Sequence, residues 1–139
     1  MIAIIFEVVP APNRMRPYLH LAAALKKELG EIEGFISVER FQSLSDPSKI
    51  LSLSFFRDEE AVVQWRNTAA HRETQRRGRR GVFADYRLRV AHVLRDYGMY
   101  DRDEAPADSR TAHAEDQGRT LGRQDAEHEA EHGKVEDLP

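Results

Sequence analysis

The sequence predicts an α+β fold, a ferredoxin-like β-α-β-β-α-β unit, and three observations support this. Short segments rich in Ile, Val and Phe alternate with amphipathic segments in that order. The first strand is apolar on both faces, so both faces should be covered. The last predicted strand, residues 82–97, would span roughly 50 Å, which is long for its neighbours. Two protomers packed sheet to sheet, with the last strand of each reaching across to the other, would explain the last two features, and we therefore expect a homodimer.

The first half of the chain predicts one strand and one helix. Residues 1–9 form the strand, which Pro10 and Pro12 end because proline donates no ladder hydrogen bond. Asn13 is predicted to cap the following helix, and Gly30 suits its end. Apolar residues recur at helical spacing between these two points: Tyr18, Leu21, Ala22, Leu25 and Leu29.

A predicted β-hairpin follows. Residues 34–42 and 49–56 are strands, and residues 43–48 between them contain the turn pair Asp46-Pro47. Alternation divides the second strand into two faces: Leu51, Leu53 and Phe55 form one, and Ile50, Ser52, Ser54 and Phe56 form the other.

The segment 58–80 contains the single tryptophan, Trp65, and His71 six positions later. In an unbroken helix these residues would lie about 120° apart. Asn67 and Thr68 are both N-cap types, so two helices, 58–66 and 68–77, would let both side chains line one small-molecule pocket. The alternative is a single amphipathic helix with Trp65 in the core and His71 at its edge. The spacing alone does not favour the broken helix over it.

Charge divides the chain near Tyr100. Residues 1–100 carry 16 Lys+Arg and 12 Asp+Glu, whereas residues 101–139 carry 5 and 12. The second segment has no aromatic residue, Ile or Met, so it cannot bury enough apolar surface to offset its ordering entropy. We expect one domain over 1–100 and an acidic, flexible tail over 101–139, with at most a frayed helix at 123–132. For the tail histidines, a solvated segment is favoured over a metal site; they are His113, His128 and His132.

Several classes of protein are disfavoured by composition. The chain has no cysteine, which excludes disulfides and thiolate chemistry. It shows no signal peptide and no apolar run of membrane-spanning length, so we expect a cytoplasmic protein without a membrane partner. The basic run at 72–80 lacks interleaved aromatic residues, and we expect no nucleic-acid partner. No phosphate loop, dinucleotide fingerprint, nucleophile elbow or metal-ligand set is present.

Four segments carry a resemblance to a known family: MIAIIFEVVP, GFISVERFQS, SLSFFRDEEAVVQWRNTAAH and VFADYRLRVAHVLRDYG. They resemble the antibiotic biosynthesis monooxygenase (ABM) family of dimeric α+β barrel proteins, over about residues 1–98. The most specific part is the acidic helix start followed by Trp65 and His71. The resemblance implies a broken second helix and a pocket between sheet and helices. It also implies oxidation of polycyclic phenols to quinones by molecular oxygen, without metal, flavin or other cofactor.

The resemblance also implies roles for particular residues. Trp65 would position a flat aromatic substrate, and His71 would act as the base, since its ordinary pKa lies near neutrality. His92 is a weaker second base, and a histidine on an apolar strand face is more often a core or interface residue. The further candidates for the substrate-binding wall are Phe6, Phe41, Phe55, Phe83 and Asn67, although a core position is the favoured interpretation of each phenylalanine.

The sequence departs from two patterns within this resemblance. Some quinone-forming members place an asparagine one turn before the tryptophan, where this chain has Ala61. Haem-degrading relatives have an asparagine on the first strand and a histidine ten residues after the tryptophan; this chain has Phe6-Glu7 and Gln75 there. We therefore predict a cofactor-independent monooxygenase first, a non-catalytic small-molecule-binding dimer second, and haem binding or degradation third.

Overall fold

The computed structural model describes residues 1–114, and its elements follow the predicted order. Within that range, no helix is long and apolar enough to span a bilayer. The strands are β1 (Ile2–Pro10), β2 (Phe35–Gln42), β3 (Ile50–Phe56) and β4 (Phe83–His92). The helices are α1 (Met15–Leu29), α2 (Glu59–Arg66), α3 (Ala69–Arg77) and α4 (Ala107–Ala112).

The strands form one antiparallel sheet in the order β2-β3-β1-β4. The predicted ferredoxin-like fold and the β2–β3 hairpin are confirmed. Because β1 lies between β3 and β4, it is paired along both edges, which suits its nearly continuous apolar sequence. Its inward residue Val8 is fully buried, as is Phe56 of β3 at 1% exposure.

The inner face of the sheet, which packs against α1, α2 and α3, supplies most of the core. Two clusters of buried side chains form there. One contains Val8, Tyr18, Ala22 and Ile50, and the other contains Leu29, Phe56, Ala61 and Trp65. On β3 the inner face is therefore the one that carries Ser52 and Ser54. The more uniformly apolar residues Leu51, Leu53 and Phe55 lie on the outer face, away from the helices.

The predicted start of α1 is wrong. Asn13 does not cap the helix; it adopts a left-handed conformation with φ of 64°, which asparagine tolerates better than most residues. Arg14 occupies the cap position and makes no side-chain cap hydrogen bond. Asparagine suits both a cap and a left-handed turn, so local sequence could not separate the two.

The last strand is shorter than predicted. β4 ends at His92, which pairs with Ile2, and the final main-chain bond runs from Val93 N–H to the Met1 carbonyl at 3.1 Å. Ile2 is the first residue of β1, so the ladder between β1 and β4 ends there. The alternating pattern continues to Tyr97, but a strand also needs a neighbour, which a pattern within one segment does not reveal.

The chain divides into two compact units, Met1–Val93 and a segment that begins at Leu94. The sheet and helices α1 to α3 belong to the first. Within the second, the Arg102 guanidinium lies 5.2 Å from the centre of the Tyr97 ring, and α4 follows. The helix predicted at 123–132, with His128 and His132, lies outside the described residues.

Candidate active site

A break between α2 and α3 brings Trp65 and His71 together. The Asp58 carboxylate caps α2 by accepting a hydrogen bond from Ala61 N–H at 2.9 Å. At the break, Thr68 Oγ1 accepts from His71 N–H at 3.2 Å and donates to the Trp65 carbonyl at 2.9 Å. The Thr68 side chain thus supplies a hydrogen-bond partner to a backbone carbonyl at the end of α2 and to a backbone N–H at the start of α3. The prediction of two helices is confirmed, and the single-helix alternative is wrong.

The indole of Trp65 and the imidazole of His71 are stacked. Their ring centres lie 5.0 Å apart and their planes differ by 12°. Because His71 covers one face of the indole, a substrate cannot stack on that face. Trp65 is only 9% exposed, and the imidazole of His71 lies against its ring.

The surroundings of His71 favour its neutral form by lowering its pKa. Burial is the main cause that lowers its pKa below the ordinary value of 6.5, and the nearby Arg72 and Arg66 cations act in the same direction. The carbonyls of Arg66 and Trp65 oppose this effect, but Nδ1 of His71 is buried and has no partner in hydrogen-bond geometry. A neutral imidazole in an apolar site can accept a proton from a bound molecule.

His71 and Trp65 line a cavity of about 220 Å³ between the inner face of the sheet and the helices. Most of the lining is apolar. The side chains from the sheet are Ile4, Phe6, Val38, Arg40, Ser52, Ser54, Phe56, Phe83, Tyr86, Leu88 and Val90. Those from the helices include Tyr18, Leu21, Ala22, Leu25, Leu29, Val62, Arg66, Thr74 and Gln75.

Of the predicted wall residues, Phe6 and Phe83 line this cavity, and their ring centres lie 5.8 Å apart in an edge-on arrangement. The ring of Phe83 packs so closely on Gly78 that a Cβ at that position would overlap with the ring. Glycine at position 78 therefore allows the Phe83 ring to approach the end of α3.

The other three predicted wall residues and the predicted second base, His92, do not line the cavity. Phe55 and Phe41 pair with Ala3 and Leu51 on the outer face of the sheet, because side chains alternate along a strand. The Asn67 amide donates to the Val63 carbonyl at 3.0 Å and accepts from Arg72 at 2.6 Å, so it completes the break between helices. His92 is exposed at the end of β4.

Sequence reasoning missed several polar residues of the cavity, including Tyr18, Arg40, Ser52 and Ser54. The two serines alternate with Leu51 and Leu53. Their polarity by itself did not indicate that they belong to a site. The signal that could have found them is their position between Ile50 and Phe56. Serines between two large apolar residues on one strand face are expected where that face borders a cavity.

Comparison with known proteins assigns the family. The model of the antibiotic biosynthesis monooxygenase family matches residues 1–77, which is more than half of the 139 residues. The chain belongs to this family. Within the described residues, no group of three or more His, Asp or Glu side chains is arranged to hold a metal ion.

One named protein and two solved structures illustrate what the chain is similar to. A protein of Pyricularia oryzae named jasmonate monooxygenase ABM is 52% identical over 93 residues, which are 67% of this chain and 43% of that protein. This chain therefore spans less than half the length of that relative. A Mycobacterium tuberculosis structure has a TM-score of 0.64 at 14% identity, covering 70% of this chain and 98% of its own. A crystal structure of an antibiotic biosynthesis monooxygenase has a TM-score of 0.59 at 14% identity, covering 68% and 99%. These two structures show the shared fold.

Removing the Thr68 hydroxyl should loosen the junction between α2 and α3. We expect Thr68→Ala to lower the free energy of unfolding by about 1 kcal/mol, the usual value of an N-cap side chain. Thr68→Ser keeps the hydroxyl and should retain most of that free energy. Urea unfolding of the three proteins measures this, and equal stability of wild type and Thr68→Ala would contradict the capping role.

Proposed function

We propose that this protein is a cofactor-independent monooxygenase that oxidises a small, electron-rich molecule with O2 in the cavity beside His71. The observation that carries the proposal is the half-buried imidazole of His71, stacked on Trp65 in a largely apolar chamber, where burial lowers its pKa. Family membership and the name of the Pyricularia relative support monooxygenase activity. Phenols and quinols are the proposed substrate class, and jasmonate is a second candidate that the name of that relative suggests.

The proposed reaction begins with proton transfer from an acidic O–H or C–H group of the substrate to His71. The resulting anion passes one electron to O2, and the substrate radical and superoxide combine to form a C–O bond. The imidazolium returns its proton to the peroxide. Loss of the remaining hydrogen on that carbon, with cleavage of the O–O bond, releases water and leaves a carbonyl. Overall, a CH2 group and O2 give C=O and H2O, so atoms and electrons balance.

The chain contributes to this chemistry by excluding water and by holding the base. An apolar lining strengthens the hydrogen bonds that the developing anion receives. Tyr18, Ser52 and Ser54 provide hydroxyl donors at the cavity wall. The substrate itself supplies the reducing electrons.

Oxygen uptake by the purified, metal-free protein tests the proposal. The substrates would be dihydroxynaphthalenes, anthrones and jasmonate, with autoxidation without protein as the blank. Uptake that requires the protein and is unaffected by a chelator is the expected result. Absence of uptake above autoxidation with every compound would contradict the proposed function for this substrate class.

We also propose that two copies associate through the outer face of the sheet, where Ile5, Leu53 and Phe55 are only partly covered within one chain. Light scattering at micromolar concentration should give twice the 16.0 kDa protomer mass. Leu53→Asp should lower it towards one protomer, whereas Leu44→Asp, at a fully exposed turn position, should not. A wild-type mass of one protomer would refute this association.

A further inference from the structure

Arg40 places a half-buried cation at the cavity wall. It lies on β2, and its Nη2 donates a long hydrogen bond of 3.4 Å to the carbonyl of Ala22. Its Nε is buried and has no hydrogen-bond partner. A guanidinium has five N–H donors, so most of its bonding capacity is unused within the protein.

No side chain in residues 1–114 neutralises this cation. No Asp or Glu carboxylate in that range lies within 4.0 Å of it. Tyr18 lies beside it, but burial raises the pKa of the Tyr18 hydroxyl more than Arg40 lowers it, so Tyr18 stays a neutral hydrogen-bond donor. A charge withdrawn from water without a partner is unfavourable, and an anion that enters the cavity would relieve this.

The other charged side chains of the cavity wall are also cations. Arg66 and Arg79 also line it, and the described lining includes no Asp or Glu. Both of these arginines are exposed to solvent, whereas Arg40 is half-buried. An anionic group would therefore be attracted to the cavity generally, and Arg40 is the cation best placed to hold it away from water.

The sheet sets the distance between this cation and the apolar wall. Arg40 pairs with Ser52, Ser52 with Phe6, and Phe6 with Leu88, so these four residues form one row across the inner face. Three inter-strand spacings make the row about 14 Å long. A ligand whose anionic end lies at Arg40 would extend its apolar body over Phe6 and Leu88.

We propose that Arg40, with the Tyr18 hydroxyl, binds the carboxylate of a small, largely apolar acid, so that the substrate oxidised in the cavity is one that carries a carboxylate. As a statement about substrate the inference rests on the proposed function, whereas the binding itself does not require turnover. Arginine suits this role because its planar fork matches a carboxylate in a two-point contact.

Binding can be followed through Trp65, the single tryptophan, which lines the same cavity. The probes are jasmonic, 1-naphthylacetic and decanoic acids, each compared with its own methyl ester, which has the same body without the charge. Titrations of the full chain without oxygen exclude turnover. We expect at least one acid to bind about 10- to 100-fold more tightly than its ester, the range for a hydrogen-bonded charged group. If no acid binds more tightly than its ester, the proposal is overturned.

Variants then test which arginine produces the preference for acid over ester. Arg40→Gln should remove most of the preference for acid over ester, and its affinity for the ester should stay within about twofold of wild type. Arg40→Lys keeps the charge but not the planar fork, so it should retain part of the preference. Arg87→Gln removes an equal charge on the outer sheet face, outside the cavity lining, and should keep the preference. Equal loss in Arg87→Gln and Arg40→Gln would overturn the assignment to Arg40. Tight acid binding without oxygen uptake would refute only the monooxygenase activity, so the two failures are distinguishable.

Discussion

Replacement of His71 by glutamine is expected to lower turnover by ~10²- to 10⁴-fold, the usual contribution of a general base. Glutamine keeps a polar side chain of similar length but cannot take up a proton near neutral pH. Product or substrate-analogue binding should change much less than turnover, because the proton is needed for the reaction and not for occupancy of the cavity.

Oxygen uptake under saturating substrate measures this effect. His92→Gln is the matched control, since His92 is exposed at the end of β4 and outside the cavity lining, and it should retain wild-type turnover. A His71→Gln variant that turns over within threefold of wild type would remove His71 as the base. If wild type shows turnover and the two variants lose it equally, the assignment to the cavity fails.

The pH dependence of turnover should follow the protonation of His71. Burial lowers the pKa of His71 below 6.5, so the active neutral form dominates at pH 7 and above. Activity should therefore decline only as the pH falls below the ordinary pKa of 6.5, and should reach a slope of tenfold per pH unit below the lowered pKa. Fluorescence of the stacked Trp65 should report the same titration, and it should be absent in His71→Gln.

The same shift affects stability with a defined sign. Because the folded pKa of His71 lies below the unfolded value, the unfolded chain binds a proton first as the pH falls from 6.5. Burial of the neutral His71 ring therefore contributes its full stabilisation above the pKa of the unfolded chain. This stabilisation is lost as the pH falls towards the lower pKa of the folded protein. His71→Gln should flatten the dependence of the unfolding free energy on pH in that window.

Replacement of Trp65 by alanine is expected to lower the free energy of unfolding by about 3–5 kcal/mol, as for other large-to-small changes of buried aromatic residues. Trp65 packs with Leu29, Phe56 and Ala61 in one core cluster and also stacks on His71. The free energy of unfolding of a domain is commonly only about 5–15 kcal/mol, so this loss would remove a large part of it.

Urea unfolding followed by circular dichroism tests this, since the variant has no tryptophan to observe. Trp65→Phe should lose clearly less stability than Trp65→Ala because an aromatic ring remains in the cluster. Val63→Ala, at a 41% exposed position of α2, should cost under about 1 kcal/mol. A Trp65→Ala variant as stable as Val63→Ala would show that the indole is not an integral part of the core.

The sequence could predict the helix break because its signals are local. Asp58 and Thr68 act through hydrogen bonds to residues three positions later, so the chain near each cap contains the whole explanation. Asn13 shows the limit of such reasoning, because an asparagine suits a cap and a left-handed turn alike. The break, in turn, is what allows Trp65 and His71 to line one wall of the cavity.

The sequence alone determined the order of the strands and of helices α1 to α3, and it offered the pairing of Trp65 with His71 as one of two alternatives. Only the tertiary structure decided which strand face borders the cavity, and it brought Arg40 and Tyr18 to one wall from β2 and α1. Strand alternation fixes which residues share a face but not which face the helices cover, so Phe55 and Ser54 could not be assigned to a side. Likewise, β4 ends opposite Ile2, the first residue of β1, and this pairing joins residues about 90 positions apart in sequence.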